Sequence, residues 1–179
     1  DIFLNEIHSS NRYLSTDEIA KRIIDDDPTL FLVDVRIEEE FKEYSLPGSV
    51  NIPLENVLNE DWQEKLNQDV LDVIFFSNDD IDSEQAWALC KQQGYPNLYV
   101  LDGGLNKWFE TIMLPEEPGE LASTDEMDLF SFRTGASIYF GSGTVTIPVI
   151  VEVEEKPEPV VKKTIPVKKK VKAEAEGGC

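Results

Sequence analysis

Leu30-Phe-Leu-Val-Asp-Val35 is the stretch on which the reading of the fold turns. A strand with one wet face alternates apolar and polar residues, whereas a nearly unbroken apolar run needs cover on both faces. That is the signature of a parallel sheet lined by helices on either side. Val70-Leu-Asp-Val-Ile-Phe-Phe76 repeats the pattern and reads as the central strand. Leu98-Tyr-Val-Leu101 and the shorter Ser49-Val-Asn-Ile52 add two more. Helix signals lie between them. Ser15-Thr-Asp-Glu18 has capping-box form, and Ile19, Ala20, Ile23 and Ile24 follow at helical spacing until Asp27-Pro28 ends the run. Residues 37–44 read as a short acidic helix. Leu54, Val57, Leu58, Trp62 and Leu66 mark a helix over 54–66. Ser83 is placed to cap a helix over 84–93, with Ala86, Trp87, Leu89 and Cys90 apolar and Gly94 at its left-handed end. Gly103-Gly104 leads into a helix carrying Leu105, Trp108, Phe109 and Ile112. Alternation of strands and helices predicts an α/β fold: a parallel sheet of about five strands with helices on both faces.

Residues 1–115 are expected to form this domain, with its core at 13–112 and a short N-terminal helix within 1–12. Residues 116–153 read as an extension: a linker at 115–119, an amphipathic helix over 124–140 with Met127, Phe130, Ser131, Ala136 and Tyr139 among its positions, and β character over 144–153. Residues 154–179 are rich in Pro, Lys, Val and Glu, lack aromatics, and are expected to be a disordered tail ending Gly-Gly-Cys.

The formal net charge is −20. Residues 156–179 hold seven lysines against three glutamates, so residues 1–155 carry −24. Such an acidic body repels phosphate backbones, which excludes nucleic acid as a partner. The basic tail reads either as a solvated linker or as an arm suited to acidic surfaces, anionic lipid and this protein's own acidic body included. No stretch reaches the roughly 18–20 apolar residues of a membrane span. The sequence opens at Asp1 rather than Met, so an upstream signal or anchor is also expected as an option. Two distant cysteines, Cys90 and Cys179, make neither a disulfide framework nor a zinc site.

An ordered set of motifs carries a family resemblance. Leu32-Val-Asp-Val-Arg36, Glu40-Phe41 and Leu46-Pro-Gly-Ser-Val-Asn-Ile-Pro53 resemble the first half of a rhodanese homology domain. Val73-Ile-Phe-Phe76 resembles its strand into the active loop. Gly94-Tyr95 and Leu98-Tyr-Val-Leu-Asp-Gly-Gly-Leu105 with Trp108 resemble its last strand and the helix after it. In that family a cysteine opens the loop, an arginine and a small hydroxyl residue close it, and loop N–H groups cradle an anion. The cradle lowers the thiol pKa and holds a persulfide. Over Ser77, Asn78, Asp79, Asp80, Ile81, Asp82 and Ser83, the resemblance sets Ser77 at the cysteine position, Asp82 at the arginine position and Ser83 at the hydroxyl.

A serine cannot hold a stable persulfide, and the single histidine, His8, lies outside the motif. Asp79, Asp80, Asp82 and Glu84 put negative charge where the family holds an anion. No sulfur transfer is therefore expected at this loop, which reads as vestigial. Asn78, Asp79, Asp80 and Asp82 offer hard oxygen donors, but the loop has no glycine and no glutamate in calcium-hand register, so solvated carboxylates are expected rather than a metal site. Asp34 and Arg36 are read as structural, pairing with each other or, for Arg36, with Glu39 or Glu40. Gly103 and Gly104 are read as a turn needing unusual backbone angles, the three tryptophans as core, and Cys90 as a packed, inert thiol. Cys179, after Gly177-Gly178, has no structural purpose and is a candidate sulfur carrier. The leading expectation is a non-catalytic module for protein interaction or regulation, without cofactor and with its partner unidentified. Its rival is a sulfur-transfer or redox protein working through Cys179. The cysteine-free loop and Gly-Gly-Cys ending also resemble rhodanese-like proteins that begin with a membrane segment. That likeness implies a domain held outside the cytoplasm, with a cytoplasmic protein as the alternative.

Overall fold

The computed structural model describes residues 10–141. Of the N-terminal helix expected within 1–12, residues 10–12 are described and form a 3-10 turn, Ser10–Arg12; residues 1–9, the β character over 144–153, the basic tail and Cys179 lie outside the described residues.

Five parallel strands form one sheet: β1 (Tyr13–Leu14), β2 (Leu30–Asp34), β3 (Val50–Asn51), β4 (Asp72–Phe76) and β5 (Leu98–Leu101), in the order β1-β5-β4-β2-β3. The helices are α1 (Thr16–Ile24), α2 (Glu38–Glu43), α3 (Glu60–Leu66), α4 (Ile81–Gln92), α5 (Gly104–Trp108) and α6 (Thr124–Phe140), with a π-helical turn over Phe109–Met113 after α5. The pleat divides each strand between two cores. On β4, Val73 and Phe75 face one side, where they meet Ala86, Trp87 and Cys90 of α4 together with Val57 and Leu66. Ile74 and Phe76 face the other, against Ile19 and Ala20 of α1, Leu105 and Trp108 of α5, and Ile112. The unbroken apolar run in β4 is thus explained by two covered faces, and the α/β expectation holds.

Several local expectations need correction. No continuous helix runs over 54–66; a 3-10 turn over Leu54–Asn56 stops before α3 begins. Asn59 is extended at φ −68°, ψ 144°, and its amide bonds the Asn56 side chain, the local alternative to helical hydrogen bonding that favours asparagine in turns. α6 has the expected bounds, and of the positions named for it Ala136 is buried, but Phe132 and Phe140 complete the buried face. Phe132, Ala136 and Phe140 point inward at four-residue spacing, while Met127 and Tyr139 are about half exposed. A Ser123–Glu126 capping box starts α6, Arg133 holds Asp17 of α1 through two 2.7 Å bonds, and Phe140 packs edge-on against Trp108. β1, only two residues long, has no sequence signature of its own. Trp62 is half-buried at the edge of the first core, whereas Trp87 and Trp108 lie within theirs.

Candidate functional site

In this order of strands the chain leaves β2 for β3 on one side and then crosses to β4 on the other. The C-terminal ends of β2 and β4 therefore mark the topological switch point, where open α/β sheets place their ligands. Asp34 pairs with Phe76 in register, so the loops that follow start side by side.

The loop after β2 is a closed polar knot. Asp34 is fully buried and Arg36 nearly so. Arg36 Nη2 donates to Asp34 Oδ2 at 2.6 Å, and Nε donates to Oδ1 at 3.0 Å. The Arg36 backbone N–H also donates to Asp34 Oδ1, and the Ser45 hydroxyl donates to Oδ2. The remaining guanidinium bonds go to the Tyr44 carbonyl at 2.6 Å and to Asn78 Oδ1 at 3.0 Å. Arg36 therefore takes Asp34 and not Glu39 or Glu40. Asn51 of β3 ties the knot to its neighbour, donating to the carbonyls of Asp34 and Arg36. Tyr44 and Ser45 carry no charge or spacing signal by which sequence could single them out, and Asn51 is marked only as part of the Leu46–Pro53 motif, which assigns it no partner.

The loop after β4 satisfies itself. Ser77 is 2% exposed, and its hydroxyl donates to the Asp79 carbonyl. The Ile81 N–H donates to Asp79 Oδ1 at 2.9 Å, and the Gly103 N–H to Asp80 Oδ1 at 2.7 Å. Two N–H donors at the loop's edge are thus already held by the chain's own carboxylates. The helix begins at Ile81, with Asp80 rather than Ser83 at its cap position. This corrects the expected start: the Asp79 side chain turns the chain earlier, and buried Ser83 sits in the first turn with its hydroxyl on the Asp79 and Asp80 carbonyls. Asn78 bridges the two loops, accepting from Arg36 and donating to Glu40 Oε1 at 2.7 Å. Asp79 and Asp82 are exposed. Burial pushes the Asp80 carboxyl above its ordinary pKa, the Gly103 N–H pulls it down, and Asp102, Glu84 and Asp79 push it up further. Among the described residues no group of three or more His, Cys, Asp or Glu side chains is arranged to hold a metal ion, and no helix is long and apolar enough to cross a membrane.

Gly103 and Gly104 both have positive φ, +71° and +57°, where a side chain is strained. Gly104 lies against the β4 loop. A Cβ there would come within 2.6 Å of the Ser77 carbonyl oxygen and 2.8 Å of that of Asp79. The loop is further fixed by N–H bonds from Leu105 to the Ser77 carbonyl and from Asn106 to the Asn78 carbonyl, each 2.9 Å. Trp108 is fully buried, and its indole N–H donates to the Tyr44 hydroxyl at 3.1 Å. Cys90 is fully buried, and burial pushes its thiol up to about 12.

The sequence pattern described as "Rhodanese-like domain" matches residues 15–111. Thiosulfate sulfurtransferase GlpE of Shewanella oneidensis is 26% identical over 102 residues, covering 57% of this chain and 96% of that protein. The adenylyltransferase and sulfurtransferase uba4 of Ogataea parapolymorpha is 36% identical over 83 residues, covering 46% of this chain; the match spans only 21% of that protein's length. The crystal structure of the BH2092 protein from Bacillus halodurans matches with a TM-score of 0.51 at 20% identity, over 70% of this chain and 96% of that one, a likeness of fold. With more than half of its residues inside the family pattern, the chain belongs to the rhodanese-like domain family.

Proposed function

We propose that this domain acts as a protein-interaction or regulatory module and transfers no sulfur at the loop after β4. The observation that carries this reading is the Ser77 hydroxyl donated to the Asp79 carbonyl. A hydroxyl becomes a nucleophile only when a base takes its proton, and a peptide carbonyl is not one. Likeness to the family sets Ser77 where a thiolate would stand, and Asp79 and Asp80 already accept N–H bonds at the edge of the same loop. The test is a thiosulfate:cyanide assay at saturating substrate on the wild type and Ser77→Ala. Neither is expected to exceed the uncatalysed rate. Turnover abolished by Ser77→Ala overturns the reading.

A second reading is favoured by one observation. The Cys90 thiol is sealed in the core and held protonated. Any sulfur this chain carries on cysteine therefore falls to Cys179, its only other thiol. A sulfur-carrier role predicts turnover that disappears in Cys179→Ser and survives in Ser77→Ala. The interaction reading predicts no turnover in any of these proteins.

A further inference from the structure

An open groove of about 820 Å³ lies beside the loop after β2. It is bounded by the chain after β2 and α2, by the turn after β3, and by α4. It opens on the β2 side of the switch point. Ile37 and Leu58, respectively 57% and 41% exposed, present aliphatic surface there, backed by half-buried Leu54 and Leu89. Above this surface stand five carboxylates: Glu38, Glu39, Glu40, Glu55 and Asp82. The groove's one cationic side chain, Arg36, has its guanidinium committed to Asp34, Tyr44 and Asn78, so it neutralises Asp34 rather than the rim. Lys42 holds Glu38 at 2.6 Å, while Glu39, Glu55 and Asp82 are exposed.

We propose that this groove binds an extended cationic segment of a partner protein, with aliphatic side chains on Ile37 and Leu58 and lysine or arginine side chains on the Glu39, Glu55 and Asp82 carboxylates. The proposal rests on the interaction reading above and supplies the partner's chemistry. An anionic or nucleic-acid ligand is repelled by the rim. A small cation would leave the aliphatic floor in water. A segment in which apolar and cationic side chains alternate covers the floor and meets the rim at once.

The probe is a fluorescein-labelled decapeptide of alternating lysine and valine, read by fluorescence polarisation against the full chain. Binding is expected at roughly 10–100 µM and should weaken as salt screens the rim. Replacing valine by serine, or lysine by glutamate, should each weaken it at least about fivefold. Glu39→Lys with Glu55→Lys should weaken it about tenfold or more. Leu58→Ser should weaken it several-fold. Glu116→Lys with Glu117→Lys makes the same charge change outside the groove and should stay within about twofold. Equal losses from the two charge reversals mean attraction to the whole acidic body and overturn the proposal. So does equal affinity for the lysine–serine peptide, or no binding at about 1 mM. If the groove double variant is misfolded by circular dichroism, Leu58→Ser and the peptide series decide. A thiosulfate assay on the same preparation separates the two claims. Turnover dependent on Ser77, with selective binding intact, sinks the non-catalytic reading and leaves the groove standing. Absent turnover with unselective binding sinks the groove alone.

Discussion

The loops after β2 and β4 leave the sheet side by side, and they handle charge in opposite ways. After β2, Asp34 and Arg36 are buried together, and both Asp34 oxygens and the Arg36 Nε, Nη1 and Nη2 atoms are hydrogen-bonded. After β4, Asp79 and Asp82 stand in water, and the buried group, Ser77, is neutral. The difference separates frame from chemistry. The buried pair, Asn51 and Gly104 fix the shape of the site, and none of them depends on a nucleophile at residue 77. The shape of the site therefore does not depend on which small side chain stands at residue 77.

The largest effect should come from breaking the frame. Asp34→Ala strands the Arg36 guanidinium in a buried position and should cost about 3–5 kcal/mol in urea unfolding. Asp82→Ala, in the first turn of α4 after the other loop, should stay within about 0.5 kcal/mol. Similar costs at the two sites would erase the distinction between them. Pairing Asp34→Ala with Arg36→Met should recover part of the loss, because the stranded charge is then gone.

Next come the glycines that join the loop after β4 to α5. Gly103→Ala and Gly104→Ala share the strain of positive φ, about 1 kcal/mol or more each. The new Cβ at residue 103 comes within 2.6 Å of Lys107 Cβ and Cδ, a clash inside the first turn of α5; at residue 104 it meets the backbone carbonyls of Ser77 and Asp79, in a different segment of the chain. Both changes should be costly, and Gly104→Ala the costlier because two carbonyls of the loop after β4 must move as well, read as the difference in urea midpoints. Equal costs would mean that the loop shifts freely and is not part of the frame.

What was legible in the sequence follows the same division. The two-faced apolar runs of β2 and β4, the Asp34 and Arg36 positions and the left-handed glycines are dictated by residue type, so they could be read directly. The start of α4 could not: Asp80 and Ser83 are both favourable cap residues, and the helix starts after Asp80, where Asp79 turns the chain by accepting the Ile81 N–H. The break before α3 turns on the Asn56–Asn59 bond. The buried face of α6 depends on where α1 and Trp108 lie. The groove brings together segments near residues 37, 56 and 85, and no single window of sequence contains it.

Ser77→Cys asks whether the frame alone can support a reactive thiol at this position. The carboxylates around the loop should keep the new thiol at or above the free-cysteine value of about 8.5. The pH profile of alkylation by iodoacetamide, in a Cys179→Ser background, should then have its midpoint there, with no thiosulfate turnover. A midpoint below about 7 would show that the loop backbone still favours an anion despite its acidic side chains.

The smallest effect concerns Asp80, the half-buried carboxylate of the loop after β4. Burial raises its folded-state pKa above the unfolded value, so the folded protein binds the proton more tightly and stability falls as pH rises through that window. The charged form is the disfavoured one. Asp80→Asn keeps an oxygen for the Gly103 N–H and removes the repulsion from Asp102, Glu84 and Asp79. The variant should be the more stable at pH 7, by about 0.5 kcal/mol or less because solvent reaches the site. Its advantage should shrink as pH falls through the raised pKa and vanish once Asp80 is protonated in both folded and unfolded states. Paired urea titrations between about pH 3 and 7 measure this difference. An advantage that grows toward low pH reverses the sign, and would mean that the Gly103 N–H, rather than burial, governs this carboxylate.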